Sequence, residues 1–170
     1  TRVHATEIGC LAPDSVAKVD SKGLKSLIWV APDHTVRQMS GYSANVISTN
    51  EIEKLIKELH EAGDIATLKG FAWADSGRAF YALTCDLWTR VYCNGQWHDR
   101  QSYGMPNWRV GAVIQFGDKL IAGDAVTGQL SIMGDNYNME GDQHLVATIE
   151  TPPVQAFPFR LALNALYIDA

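Results

Sequence analysis

The sequence predicts an all-β protein built from β-propeller blades, with one short inserted α-helix. Three observations predict it. Turn signals punctuate the chain at short intervals, runs of about five to eight β-branched and aromatic residues lie between them, and the strand pattern repeats. The turn signals are Ser21-Lys22-Gly23, Pro32-Asp33, Ser40-Gly41, Asp75-Ser76-Gly77, Asn94-Gly95, Gly117-Asp118, Thr127-Gly128 and Gly134-Asp135-Asn136. Each supplies a left-handed backbone position or a local side-chain bond of the kind a tight reversal needs.

The strands expected between them are 15–20, 26–31, 35–40, 44–48, 69–74, 78–85, 89–93, 109–116, 119–123 and 129–133. Hairpin-linked strands this short pair antiparallel. Three stretches share one order: apolar strand, short turn, second strand, a turn with Gly, polar strand. They begin at Leu27-Ile28-Trp29-Val30, Phe80-Tyr81-Ala82-Leu83 and Leu120-Ile121-Ala122-Gly123, so the offsets are 53 (27 to 80) and 40 (80 to 120). A helix of about 12 residues in the longer interval brings both close to 40, and ~40–50 residues is the length of a four-stranded blade. The alternative is a β-sandwich with coincidental spacing, but a sandwich has no reason to repeat internally.

The helix is expected at 51–62. Ile52, Leu55, Ile56 and Leu59 fall at i, i+3, i+4 and i+7 and make one apolar stripe. Asn50 is the expected N-cap, with Glu53 three residues on, close to a capping box. Glu51 and Glu53 suit the positive end of the helix dipole. Glu53 and Lys57 form an i,i+4 pair, and Gly63 ends the helix.

The blades then fall at about 15–48, 67–102 and 109–150 of one domain spanning 1–170. The segment 158–169, containing Arg160-Leu161-Ala162-Leu163, would open a further blade. Propellers close with ~4–8 blades, and three leave open strand edges. The expectation is a piece of a longer chain, which a first residue of Thr rather than Met fits.

Composition narrows the function. The chain has 170 residues, 46% of them hydrophobic and 19% charged, so disorder is not expected. Net charge is −5, from 14 Lys+Arg and 19 Asp+Glu, which argues against a protein held on nucleic acid by a basic face. No apolar run approaches the ~20 residues of a membrane helix. Cys10, Cys85 and Cys93 are too few and too odd for a secreted disulfide scaffold. The opening residues have no signal-peptide pattern.

Catalytic and metal signatures are sparse. His4, His34, His60, His98 and His144 share no metal-ligand spacing with one another or with Cys, and there is no C-x-x-C. Hydrolase elbow, phosphate loop and dinucleotide fingerprints are absent, and scattered acids nominate no glycosidase pair. Asn136, Asn138 and Glu140 alternate before Gly141, as in half a calcium loop, but Ala147 stands where the closing acid belongs. A solvated acidic connection is the expectation for 134–142. Asp75-Ser76-Gly77-Arg78 and Asp124-Ala125-Val126-Thr127-Gly128 share the Asp turn of sialidase-like propellers without its closing Thr-x-Trp, and read as hairpin turns. Trp29 and Trp73 are expected on apolar inner strands, Trp97 and Trp108 beside a loop, mostly as packing between blades. No catalytic, cofactor or metal residues are nominated.

Several stretches together carry a resemblance. They are Glu7-Ile8-Gly9-Cys10-Leu11-Ala12-Pro13-Asp14-Ser15-Val16, Gly41-Tyr42-Ser43 leading to Val46-Ile47-Ser48-Thr49, Gly95-Gln96-Trp97-His98-Asp99-Arg100, Asn107-Trp108-Arg109, and Leu120-Ile121-Ala122-Gly123-Asp124 with Thr127-Gly128-Gln129-Leu130. In this order, from Glu7 to about Pro153, the chain resembles the packaged-DNA stabilization proteins of short-tailed bacteriophages, which are tail accessory factors. The resemblance implies a non-enzymatic virion protein of the head–tail connector. It would join other tail proteins after packaging, with the portal adaptor above and a tail needle or plug below. It would sit in a homo-oligomeric ring, help plug the portal channel, retain the packaged DNA and later permit ejection. It also implies no cofactor, no sequence-specific nucleic-acid binding, no membrane, and a place in the virion and, during assembly, the host cytoplasm. A carbohydrate- or receptor-binding propeller and a glycoside-processing propeller enzyme are the alternatives from other classes.

Overall fold

A computed structural model describes residues 7–21, 24–134 and 136–148. Antiparallel strands dominate them. The first sheet contains β1 (Ala17–Ser21), β2 (Leu24–Val30), β3 (Val36–Ser40) and β4 (Ser43–Val46), in the spatial order β1-β2-β3-β4. After the helix α1 (Asn50–Glu61), β5 (Lys69–Asp75), β6 (Arg78–Thr84), β7 (Thr89–Cys93) and β8 (Gln96–Asp99) make a second four-stranded sheet in the order β5-β6-β7-β8. A third sheet has three strands, β9 (Val110–Phe116), β10 (Lys119–Asp124) and β11 (Leu130–Met133). A separate hairpin follows from β12 (Met139–Glu140) and β13 (Gln143–His144).

Register explains how the sheets stack. Side chains alternate across each strand, so the pairs Phe71↔Ala82, Trp73↔Phe80 and Ala82↔Val91 share one face of the second sheet. Ala72↔Tyr81, Tyr81↔Tyr92 and Tyr92↔Trp97 share the other. Both faces are apolar, and both are covered. Tyr81 and Leu83 pack with Ala17, Val19, Ile28, Val30 and Val36 of the first sheet and with Ile52, Ile56 and Leu59 of α1. Trp73, Ala82 and Val91 pack with Val110, Leu120 and Ala122 of the third sheet and with Trp108. Each fully buried large side chain contributes ~1.5–3 kcal/mol from its removal from water. The first strand of each sheet lies beside the first strand of the next, β1 against β5 and β5 against β9.

Polar groups fix the first seam. A 3-10 turn, Pro13–Ser15, crosses the start of β5. Ser15 is fully buried; its hydroxyl donates to the Ala12 carbonyl at 2.6 Å and accepts the Val30 amide at 3.0 Å. Its carbonyl accepts the Tyr81 hydroxyl at 2.8 Å. Burial pushes the Tyr81 phenol well above its ordinary pKa, which keeps it a donor. Gly70 is required there, because a Cβ would overlap the Ser15 carbonyl oxygen. Trp97 adds an inter-sheet bond from its indole to the Ile47 carbonyl at 2.7 Å.

Turn chemistry follows the sequence reading. Ser76 and Gly77 (φ 47° and 74°) join β5 to β6, and Asn94 and Gly95 (φ 50° and 85°) join β7 to β8. Two successive positive φ values match the twist of a hairpin. In the β2–β3 connection Asp33 accepts the Thr35 amide and hydroxyl at 3.2 and 2.6 Å and Arg37 at 2.7 Å. Slight burial works to raise the Asp33 pKa, but the bonds from Thr35 and Arg37 outweigh it and hold it at about 2.

Several expectations need correction. Ser15 belongs to the 3-10 turn and not to a strand, since Pro13 favours that turn and the Ser15 hydroxyl closes it. The N-cap is Thr49, with extended backbone, and Asn50 is already helical. Glu53 does not pair with Lys57: its carboxylate accepts the Ser48 hydroxyl at 2.7 Å, and Lys54–Glu58 and Lys57–Glu61 are the helix ion pairs. Trp29 lies outside the seams, its indole donating to the Gly9 carbonyl at 3.0 Å. Trp97 in β8 and Trp108 just before β9 do flank a loop, the 100–109 connection, as expected. Among the described residues the stretch 109–150 is not one four-stranded unit. After β11 the chain turns into the β12–β13 hairpin, extended by the Leu145 amide on the Asn138 carbonyl at 2.9 Å. The segment 158–169 lies outside the described residues.

Two substitutions test the first seam. Tyr81→Phe leaves the buried Ser15 carbonyl unpartnered, and urea unfolding is expected to show a loss of about 1–3 kcal/mol. Gly70→Ala is expected to cost more, because backbone must move. An alanine variant as stable as wild type would contradict the close crossing.

Candidate functional site

Where the second sheet meets the third and the β12–β13 hairpin, the chain forms an open cleft of ≈ 850 Å³. The loop from β8 to β9 builds one wall. Thr89, fully buried, carries that loop: its hydroxyl bonds the Thr84 hydroxyl at 2.6 Å and accepts the Trp108 amide at 2.9 Å. Asn107 donates to the Cys85 carbonyl at 2.8 Å, and Ser102 accepts the Arg109 amide at 3.0 Å. These bonds turn Trp108 inward, where it meets Trp73 and Phe71 with ring centroids 5.8 and 6.0 Å away.

Charges line the cleft in compensated pairs. The Arg100 guanidinium stacks over the Trp108 ring at 4.4 Å, with Trp73 at 5.9 Å. Burial pushes its pKa down, and the Glu140 carboxylate works against that. Glu140 itself accepts the Trp108 indole N–H at 2.9 Å. Burial and the Arg100 charge lower the His98 pKa, with Asp99 opposing them. Asp99 pairs with Arg90.

Asp124 is the most engaged acid. Its oxygens accept the Val126 amide at 2.7 Å, the Thr127 amide at 3.1 Å, the Thr127 hydroxyl at 2.8 Å and the Arg109 Nε at 2.8 Å. Desolvation works to raise its pKa, but these bonds hold the carboxyl far below the usual range, and the same pair raises the Arg109 pKa. The Asp124 turn is therefore a closed structural unit, as the hairpin reading expects. Asp75 closes the β5–β6 hairpin opposite Arg78.

The arrangement offers binding surface more than reactive groups. Among the described residues no three His, Cys, Asp or Glu side chains gather as metal ligands, and within 134–142 Glu140 is turned to Trp108. Cys10, Cys85 and Cys93 are free thiols whose pKa values are all raised, chiefly by burial, the opposite of an activated thiolate. Two histidines that sequence spacing kept apart do meet. The ring nitrogens of His34 and His60 are 2.9 Å apart across 26 residues of chain. No local signal carries that contact, because it depends on where α1 packs. His98 lines the cleft and His144 lies in β13; His4 lies outside the described residues. No protein-family model matches this chain, and no curated protein matches it either.

Replacing Asp124 tests the electrostatic reading. Asp124→Asn is expected to cost roughly 2–3 kcal/mol at neutral pH, from lost charge-assisted bonds. Because folding depresses this pKa, the stabilisation is complete above the ordinary carboxylate value of ~3.9 and is lost as pH falls below it. The gap between the two urea midpoints should therefore narrow from about pH 5 to about pH 2.5. A constant gap would show that charge is irrelevant at this position.

Proposed function

We propose that the chain is a non-enzymatic structural component of a bacteriophage head–tail connector, and that its sheets are blades of a larger propeller. In this reading it acts in the virion as a ring of copies between the portal adaptor and the tail needle or plug. There it helps close the portal channel, retains the packaged DNA and opens for ejection. The host cytoplasm is where it assembles. The phage assignment rests on the ordered motifs from Glu7 to about Pro153.

One structural observation carries the propeller and assembly part. Antiparallel sheets stack face to face in chain order, and none of the described residues covers the last face of the stack. Ile114↔Ile121 and Ile121↔Ile132 align across the third sheet, on the same face as Phe116 and Leu130. Ile114, Phe116 and Leu130 are 66%, 77% and 76% exposed. Contiguous apolar surface of this kind marks an interface. A further blade or a neighbouring subunit covers it in this reading, and ring subunits need such complementary faces.

A second reading, a carbohydrate- or receptor-binding module, is favoured by the open cleft with Trp108, Arg100 and Glu140 on its walls. One comparison separates the two. Phage particles lacking this protein should fill with DNA and then lose it, and adding the protein back should restore retention. Full retention without it, or glycan binding by the free protein that Trp108→Ala abolishes, would favour the second reading. With a net charge of −5, the free protein should also show no salt-dependent affinity for duplex DNA in a filter or polarisation assay. Micromolar binding weakened by salt would contradict the connector reading's electrostatics.

A further inference from the structure

We propose that His34 and His60 form a two-imidazole site for a divalent transition-metal ion, with a geometry that prefers nickel(II) and copper(II) to zinc(II). This site lies away from the cleft and is independent of the connector reading.

His34 stands in the β2–β3 connection and His60 in the last turn of α1. The His34 Nε2 and His60 Nδ1 atoms are 2.9 Å apart, with ring centroids 5.2 Å apart and planes inclined by 51°. His34 has φ 65°, a left-handed conformation that a β-carbon disfavours. The fold holds it there. Its amide donates to the Ala31 carbonyl at 3.0 Å, and the adjoining Asp33 is locked by Thr35 and Arg37. His60 is carried by a helix whose Ile52, Ile56 and Leu59 are buried. Two rigid elements thus bring two imidazoles edge to edge at the surface.

At this separation one ring nitrogen donates a proton to the other, which of the two being set by the tautomers. A neutral imidazole can instead carry its proton on the far nitrogen. When the donor ring does so, both lone pairs lie between the rings, a rotation of each ring turns them toward one ion, and no net proton leaves the pair. An ion bound through nitrogen at ~2.0–2.1 Å from each atom would then see an N–metal–N angle of about 90°. That is the cis angle of tetragonal and octahedral ions, whereas a tetrahedral ion at the same bond length needs nitrogens about 3.3–3.4 Å apart. The general affinity order of first-row ions also sets copper(II) above nickel(II) and above zinc(II). Water completes the coordination. The bound ion would clip the β2–β3 connection to α1 and raise stability by linkage, since the unfolded chain does not hold the two rings together.

The test uses the whole chain with Cys10→Ser in every background, which removes the exposed thiol as a competing ligand. Calorimetric titration with nickel(II) should give a site that His34→Gln and His60→Gln each weaken at least about tenfold, because each removes the second arm of a chelate. His98→Gln should bind as the parent does. Zinc(II) should bind more weakly than nickel(II), and nickel(II) should raise the melting temperature of the parent but of neither variant. The His60→Gln change is exposed on the helix, so its fold should persist by circular dichroism. Copper(II) electron paramagnetic resonance supplies an independent readout, with coupling to two imidazole nitrogens expected in the parent and to fewer in each variant. Nickel affinity unchanged in both variants, tighter zinc than nickel binding, or a copper spectrum indifferent to His34 and His60 would overturn the site.

Discussion

The second sheet is apolar on both faces, and everything else in the fold answers to that. Tyr81 and Leu83 point one way and Trp73, Ala82 and Val91 the other. A sheet of this kind is stable only between two covers. The first sheet and α1 supply one, and the third sheet with Trp108 supplies the other. The first cover must also solve a close approach of backbone to backbone. Gly70 leaves the space, and the buried Ser15 carbonyl finds its donor in Tyr81. Without that donor, an unsatisfied carbonyl would sit in the centre of the seam.

The second cover is built differently, and that difference produces the cleft. A long loop from β8 to β9 is pinned by Thr89, Ser102 and Asn107, so that Trp108 reaches back under the sheet. Arg100 then stacks on the outer side of the same ring, while Glu140 takes its N–H. Structural tryptophan and surface cleft are two sides of one residue. The third sheet repeats the logic of the second on its inner face only. Its outer face, with Ile114, Phe116 and Leu130, presents exposed apolar surface.

Much of this was legible in the sequence, and the reasons are local. Hairpin turns such as Asp75-Ser76-Gly77-Arg78 and Asn94-Gly95 declare themselves through residues that tolerate positive φ. The α1 stripe is visible because Ile52, Ile56 and Leu59 keep a helical period. Illegible features depend on packing between distant segments. Ser15 reads as a strand residue until Tyr81 is known to lie above it. Glu53 reads as a partner of Lys57 until the Ser48 hydroxyl is seen nearer. The cleft joins residues from Arg100 to Glu140 that share no motif, and the His34–His60 contact exists only because α1 lies beside the β2–β3 turn. The break of the third repeat after β11 was equally hidden, since Gln129 to His144 carries the same turn residues as the earlier hairpins.

In the proposed function the outer face of the third sheet is an interface. Its solvent exposure can be measured directly by placing a single thiol at Ile114, in a chain otherwise free of cysteine, and following maleimide labelling. Rapid labelling is expected for the isolated 170-residue chain, as fits the 66% exposure of Ile114, and strong protection in the assembled connector proposed for it. Equal labelling in both states would contradict the proposal, for the apolar face would then be covered by nothing.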